Sequence, residues 1–231
     1  MLSIEVSILT EGVLNYHEVF LSIQGESTGA GVPCVFIRLY GCNVHCAYCD
    51  QPQSKGDKHK ISVANLVQEA MKYGCKNVCI TGGEPLLQSA AVYQLALELI
   101  SDYGCDVSIE TNGCVPIPPD LYYPSKLKFV MDIKCPSSGV SNRNIYENLM
   151  ILRTRDEVKF VISDEQDYEF MKYILRTYPT PAKILVSPVF NYDGSGKYSS
   201  PVSKNLVQWL LDDKLFSVRV QIQMHKCLGV L

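Results

Sequence analysis

Three cysteines lie close together in the stretch YGCNVHCAYCDQ, at Cys42, Cys46 and Cys49. A four-iron, four-sulfur cluster has four iron corners and is held by cysteine thiolates. Three closely spaced thiolates can therefore hold three irons and leave the fourth open. Because an open iron can bind and activate a small ligand, this spacing predicts a cluster that takes part in chemistry.

Zinc is the main alternative for these thiols, with a water or His45 as the fourth ligand. Structural zinc sites usually combine two pairs of ligands along the chain, and the sequence has no second pair of this kind. The other seven cysteines are scattered, mostly in apolar segments, where a small buried hydrophobe is the ordinary interpretation. The iron–sulfur cluster is therefore favoured over zinc.

Composition narrows the class of protein further. The chain has 231 residues, of which 47% are hydrophobic, and a net charge of −3, so it lacks the basic surplus typical of nucleic-acid binding. No apolar run approaches the roughly 20 residues of a membrane helix, and the first residues do not resemble a signal peptide. We expect a cytoplasmic protein with a single domain over residues 1–231, which binds neither nucleic acid nor membrane.

Strand-like and helix-like segments alternate along the chain. Apolar, β-branched runs predict strands at 32–40, 76–81, 106–111, 128–134, 158–163, 182–188 and 216–224. Helices are predicted at 62–73, 89–104, 142–153, 165–178 and 203–212. Such alternation is typical of βαβ units, and about six mostly parallel strands are too few for a closed eight-stranded barrel. The pattern predicts an α/β fold with a partial (β/α) barrel.

The residues that could take part in chemistry lie just after the ends of the strands. Cys42 follows the first strand, residues 81–84 (Thr-Gly-Gly-Glu) follow the second, residues 110–113 follow the third, and 132–134 end the fourth. In parallel α/β proteins, sites form at the carboxyl ends of the strands. The positions therefore predict one site at this edge of the sheet.

Two motifs resemble those of the radical S-adenosylmethionine (SAM) enzymes. CNVHCAYC resembles their cysteine signature, and TGGEPLLQ (81–88) resembles their glycine-rich SAM-binding motif. The resemblance implies a partial barrel of radical SAM type, in which the amino and carboxylate groups of SAM bind the open iron. It also implies that an electron from the cluster cleaves SAM, and that the 5′-deoxyadenosyl radical takes hydrogen from the substrate.

The segments outside these motifs point to one subgroup. FLSIQGESTGAGVPCVFIRLYGC and the tail VQIQMHKCLGVL resemble 7-carboxy-7-deazaguanine synthases. The resemblance implies a carbon–nitrogen lyase that converts 6-carboxy-5,6,7,8-tetrahydropterin to 7-carboxy-7-deazaguanine with loss of ammonia, a step towards preQ0 and queuosine-type deazapurines. It further implies a 4Fe-4S cluster, SAM and Mg2+ as cofactors, an electron donor such as flavodoxin or ferredoxin, and a homodimer.

The family's motifs imply roles for the residues that match them, with no catalytic side chain beyond the cluster and SAM. Cysteines 42, 46 and 49 would hold the cluster, and the residues that would contact SAM are Tyr48, Cys49, Asp50, Gly83, Glu84, Asp132, Ile133 and Lys134. Those that would contact the pterin are Ile23, Gln24, Gly25, Arg38, Thr81 and Leu231, with Glu110 and Thr111 as further pocket residues.

Arg38 can supply a bidentate partner for the substrate carboxylate. Without the motif, however, Arg38 would be interpreted as an ordinary surface arginine at a strand end, and Lys134 is equally consistent with an ordinary strand-end lysine. Thr81 and the Gly-Gly-Glu-Pro stretch could likewise be no more than a strand-to-helix turn.

Two residues depart from the family's pattern. Gln51 stands where the family usually has a threonine whose hydroxyl meets Mg2+, although an amide oxygen can also serve a hard cation. Ser27 replaces a glycine in the IQGEG-like loop, which loses backbone freedom if this position has a positive φ.

Two other functions are consistent with part of the pattern. Glycyl-radical-enzyme activases share the CxxxCxxC and TGGEPLLQ-like motifs but act on a glycine of a partner protein, and the IQGES and HKCLGVL segments argue against them. A structural zinc or iron–sulfur module without enzymatic activity would account for the cysteines. It would leave the glycine-rich motif unexplained.

Overall fold

The computed structural model describes residues 12–49, 51, 57–119, 124–192 and 198–230. In these ranges the strands are β1 (Val13–Ile23), β2 (Pro33–Leu39), β3 (His59–Ser62), β4 (Asn77–Gly82), β5 (Asp106–Thr111), β6 (Leu127–Ile133), β7 (Glu157–Ile162), β8 (Lys183–Pro188), β9 (Asn191–Tyr192), β10 (Tyr198–Ser199) and β11 (Val218–Val220). The helices are α1 (Val63–Met71), α2 (Ser89–Ser101), α3 (Glu165–Thr177), α4 (Ser203–Asp212) and α5 (Met224–Leu228).

The main sheet has nine strands in the described part of the chain, in the spatial order β11-β8-β7-β6-β5-β4-β2-β1-β3. From β11 to β2 every neighbouring pair is parallel, while β1 runs antiparallel to both β2 and β3. Within the described residues the sheet ends at β11 on one side and at β3 on the other, and it does not close on itself. The predicted partial barrel of about six mostly parallel strands is confirmed: the parallel run has seven strands in the described residues, and β1 and β3 extend the sheet beyond β2.

The two faces of the sheet differ in polarity because side chains alternate along each strand. Phe129 and Met131 of β6, and Val158 and Phe160 of β7, are buried in the core that the helices cover. Lys128, Asp132 and Lys159 lie on the opposite face, which we call the inner face. The helices that cover the outer face confirm the predictions at 62–73, 89–104, 165–178 and 203–212.

The helix predicted at 142–153 is wrong. The segment forms two short 3-10 turns, Ser141–Arg143 and Tyr146–Met150. The side chain of Asn144 pairs with both backbone groups of Lys134 at 2.9 Å, and Asn148 bonds to the backbone of Ile117 and Val115 at 2.9 Å. Asparagine side chains that bind backbone elsewhere compete with helix formation, so the segment instead ties the loops after β5 and β6 together.

The strand predicted at 216–224 is mostly wrong, because only Val218–Val220 pair with β8. The N–H of Gln221 still donates to Val186 of β8 at 2.9 Å, after which the chain leaves the sheet edge and the N–H of Met224 donates to the carbonyl of Gly25 at 2.9 Å. Met224 then opens the short helix α5. None of the helices in the described ranges is both long and apolar enough to span a membrane.

Helix α3 offers a test of local stability. Asp164 caps its N-terminus by accepting from the backbone N–H of Asp167 at 2.9 Å. We predict that Asp164→Ala lowers the free energy of unfolding by about 1 kcal/mol, while Asp164→Asn, which keeps the cap, stays close to the unsubstituted chain. Urea denaturation of the three proteins would check this, and equal losses in both variants would contradict it.

Candidate active site

The three predicted cluster cysteines lie on the loop that follows β2. Cys42 and Cys46 are half-buried, Cys49 is exposed, and all three are free thiols. The amide of Asn112, from the loop after β5, donates to the Cys42 sulfur at 3.5 Å and to the Asn43 side chain at 2.8 Å. The loop is thereby held over the carboxyl edge of the sheet, where the sequence predicted the site.

The glycine-rich turn after β4 packs directly against this cysteine loop. The N–H of Glu84 donates to the carbonyl of Gly41 at 2.7 Å. A Cβ at Gly83 would lie 2.0 Å from that same oxygen, and Gly82 has φ 127° with its Cβ position only 2.2 Å from the carbonyl oxygen of Leu39. Two glycines are therefore needed for the backbones to approach this closely.

Glu84 is fully buried and joins two strand ends. Its carboxylate accepts from the N–H of Leu86 at 2.8 Å, the hydroxyl of Thr111 at 2.9 Å and the N–H of Asn112 at 2.7 Å. Burial raises the pKa of this carboxyl, and the three donors offset the effect only in part. The hydroxyl of Thr111, which was predicted as a pocket residue, thus donates to Glu84. The predicted contact of Glu84 with SAM stays a prediction.

A small cavity of about 80 Å³ lies between the cysteine loop and β6, lined by Tyr48, Asp132 and Lys159 among others. The Tyr48 hydroxyl and one Asp132 oxygen are buried there and have no hydrogen-bond partner in the part of the chain that the structure describes. The other Asp132 oxygen lies 3.1 Å from the Lys134 ammonium. Buried polar atoms normally have partners, so these two atoms mark a place for a polar ligand.

A second cavity, of about 460 Å³, brings together most of the residues predicted to contact the pterin. Ile23, Gln24, Gly25, Arg38 and Thr81 all line it, and so does Gln51. Leu231 and Asp50 lie outside the described residues. The side chain of Ile133 is fully buried in the outer core, which leaves only its backbone for the predicted contact with SAM.

Polar groups converge on this larger cavity from three strands. The Arg38 Nε donates to Glu18 at 2.7 Å, and the guanidinium lies over the ring of Phe20, 5.3 Å from its centroid. Glu110 accepts from Thr81 at 2.9 Å and from Gln24 at 3.3 Å. The cavity therefore offers a carboxylate at one side and, at another, a guanidinium whose terminal nitrogens have no hydrogen-bond partner among the described residues.

Residues 24–31, which we call the lumen loop, cross the inner face between the strands. Gln24 bonds to Glu110 of β5, Glu26 to Lys159 of β7, and the N–H of Thr28 to Glu157 at 3.0 Å. Ser27 has φ 65°, so this position does have the positive φ at which a serine is less free than the family's glycine. Its hydroxyl accepts from the N–H of Gly29 at 3.1 Å, which compensates part of the strain.

Several residues of the site were not predicted from the sequence: Glu18, Glu26, Asn144 and Lys159. Lys159 carried a usable signal, since a lysine inside the apolar strand VKFVIS must lie on a face that holds a counter-charge. Glu18 could have been inferred only from the pairing of β1 with β2, which sets it opposite Arg38.

Comparison with known proteins agrees with this geometry. Residues 36–132 match the model of the radical SAM superfamily. The 7-carboxy-7-deazaguanine synthase of Methanospirillum hungatei is 42% identical over 92% of this chain and 84% of its own length, and that of Koribacter versatilis is 36% identical over 90% and 94%. The chain belongs to the 7-carboxy-7-deazaguanine synthase family.

A solved structure supports the same fold. QueE from Escherichia coli superposes with a TM-score of 0.69 over 92% of this chain and 95% of its own, at 23% identity. As a member of the 7-carboxy-7-deazaguanine synthase family, the chain is a radical SAM enzyme, which implies a 4Fe-4S cluster and SAM as cofactors. The glycyl-radical activase alternative is not favoured.

The residues present fit both cofactors. Among the described residues, which include the three cysteines, no three His, Cys, Asp or Glu side chains are gathered as ligands of one metal ion. The cysteines of a four-iron cluster bind different irons and need not converge on one point. The unpartnered Tyr48 and Asp132 atoms beside the cysteine loop suit the polar groups of SAM.

The close contact at Gly83 leads to a prediction about cluster assembly. Gly83→Ala places a methyl group 2.0 Å from the Gly41 carbonyl, so the turn and the cysteine loop must separate. We expect less iron bound per chain after anaerobic reconstitution and weaker SAM binding by calorimetry. Gly29→Ala is the control, because its Cβ would meet nothing nearer than 3.5 Å. Normal iron content and SAM affinity in the Gly83 variant would contradict the assignment.

Proposed function

We propose that this chain converts 6-carboxy-5,6,7,8-tetrahydropterin to 7-carboxy-7-deazaguanine with loss of ammonia. Reactant and products differ by one molecule of ammonia, so the reaction is a lyase reaction without net oxidation. The single observation that carries the proposal is the larger cavity, in which the residues matched to the family's pterin motif meet at the carboxyl edge of the sheet. The family membership supports it.

The larger cavity suits a flat, polar molecule with a carboxylate. Phe20 and Phe36 stack at 5.1 Å between ring centroids on one wall, and Arg38 lies beside them. The terminal nitrogens of Arg38 would bind the substrate carboxylate while Glu18 holds the Nε. Glu110, held by Thr81 and Gln24, would accept from the N–H groups of the pterin edge.

The smaller cavity would take part of SAM. Bound SAM and the cluster supply the radical that takes a hydrogen atom from the substrate. Tyr48 and Asp132 would bind the polar groups of SAM, with Lys134 holding Asp132 in place. Burial raises the pKa of the Tyr48 phenol well above its ordinary value, so this group stays a neutral donor.

We further propose Mg2+ as a cofactor, a flavodoxin or ferredoxin as electron donor, a homodimer, and one radical SAM domain over residues 1–231. Gln51, Thr81 and Glu110 supply oxygen atoms to the same cavity, which is the chemistry that Mg2+ prefers. A cytoplasmic location agrees with the ten free thiols, since disulfides are rare in reducing compartments.

The first test is turnover of the reconstituted protein. We expect reduced enzyme with SAM and 6-carboxytetrahydropterin to form 7-carboxy-7-deazaguanine, detected by mass spectrometry, with no partner protein added. Assays with and without Mg2+, on this chain and on Gln51→Thr, would show whether the amide oxygen of Gln51 binds the ion. Cleavage of SAM without product would overturn the pterin assignment.

Arg38 provides the test of substrate orientation. Arg38→Lys keeps the charge but cannot form the bidentate hydrogen bonds of a guanidinium with a carboxylate. We therefore expect the KM for the carboxylated pterin to rise about tenfold. Binding of tetrahydropterin without the carboxylate should not change, and it serves as the matched control. An equal loss for both ligands would show that Arg38 supports the fold of the cavity rather than the carboxylate.

A further inference from the structure

Lys159 of β7 joins three separate segments of the chain. Its ammonium forms an ion pair with Glu26 of the lumen loop and lies 3.6 Å from Asp132 of β6. The second oxygen of Glu26 accepts from the amide of Gln223, just before α5, at 2.6 Å. One partly buried lysine therefore links the lumen loop, the sheet and the C-terminal segment.

Charge complementarity keeps this pair ionised although it is nearly out of reach of water. Burial raises the pKa of Glu26, but the charge and hydrogen bond of Lys159, with help from Gln223, lower it to about 2. Burial lowers the pKa of Lys159, and the carboxylates of Glu26, Asp132 and Glu110 together raise it well above its usual value. Both charges are present at neutral pH, so each strongly constrains the other's position.

The pair lies between the two cavities of the site. Glu26 lines the larger cavity together with Arg38 and Glu110. Lys159 and Asp132 line the smaller cavity together with Tyr48. In parallel register Asp132 is directly opposite Lys159, so the ammonium reaches both carboxylates without leaving the inner face. A shift of Lys159 would change the separation of the two cavities.

We propose that Lys159 is a positioning residue that sets the distance between the pterin and SAM, by holding Glu26 on one side and Asp132 on the other. This inference rests on the proposed function. Hydrogen transfer depends steeply on the separation of the reacting atoms, and a misplacement of about 1 Å can cost a hundredfold in rate. Loss of Lys159 should therefore let SAM be cleaved without the pterin being converted.

The test compares two variants that each leave a largely buried carboxylate without its cation, although Glu26 is more exposed than Asp156. Lys159→Met breaks the pair with Glu26. The control is Arg153→Met, which breaks a 2.8 Å pair with the fully buried Asp156 before β7, away from both cavities. Thermal unfolding and iron content establish that each protein is folded and loaded.

Two readouts distinguish positioning from general support of the fold. In cluster-free protein, hydrogen exchange at the amides of Gln24 and Gly31 should be about tenfold faster in Lys159→Met and unchanged in Arg153→Met. In the reconstituted enzyme, the ratio of 5′-deoxyadenosine to 7-carboxy-7-deazaguanine should rise about tenfold in Lys159→Met only.

A ratio equal to that of the unsubstituted chain in folded, loaded Lys159→Met would overturn the inference, and so would an equal rise in Arg153→Met. If Lys159→Met does not fold, Glu26→Asp decides, because it keeps the charge but shortens the reach by one carbon. An unchanged ratio in Glu26→Asp would then overturn the inference. If the unsubstituted chain makes no 7-carboxy-7-deazaguanine, the proposed function fails, while the exchange rates still report whether Lys159 holds the lumen loop.

Discussion

The buried carboxylate of Glu84 is the contact on which the cofactor side of the site depends. It satisfies donors at the start of the turn after β4 and at the end of β5, and thus fixes two strand ends relative to each other. Asn112, whose N–H it accepts, in turn binds Cys42 and Asn43 through its side-chain amide. Because an unpaired buried donor or acceptor is costly, the cysteine loop, the glycine turn and the β5 loop form one unit.

The substrate side depends on charges that lie on the inner face of the sheet. A charged group in a protein interior is stable only when it is paired, and here each charge of β7 is paired with the lumen loop or with β6. Replacing such a network with apolar residues can leave stability unchanged, so stability alone does not account for these charges. The loop crosses the inner face because Glu110, Glu157 and Lys159 give its polar groups partners there.

The two departures from the family's pattern have different physical consequences. Ser27 adopts the left-handed conformation that a glycine would adopt more readily, and its hydroxyl recovers a hydrogen bond that glycine could not make. Gln51 lies at the wall of the larger cavity, where its longer side chain presents an amide in place of a hydroxyl. The first change is local to the backbone, whereas the second alters the groups that a ligand or ion would meet.

The sequence by itself determined the spacing of the cysteines, the glycine turn, most of the alternation of strands and helices after β1, and the edge of the sheet at which the site is expected. These features are local, since each depends on spacing along the chain or on the rule that parallel strands end at one edge. The sequence did not predict β1 as a strand, the turns at 142–153, or the partners of Glu26, Arg38 and Lys134. Those depend on contacts between residues far apart in the chain, such as Glu26 with Lys159 and Lys134 with Asn144. Only the tertiary structure decided them, because a side chain's partner across a sheet is set by register and packing rather than by its neighbours in sequence.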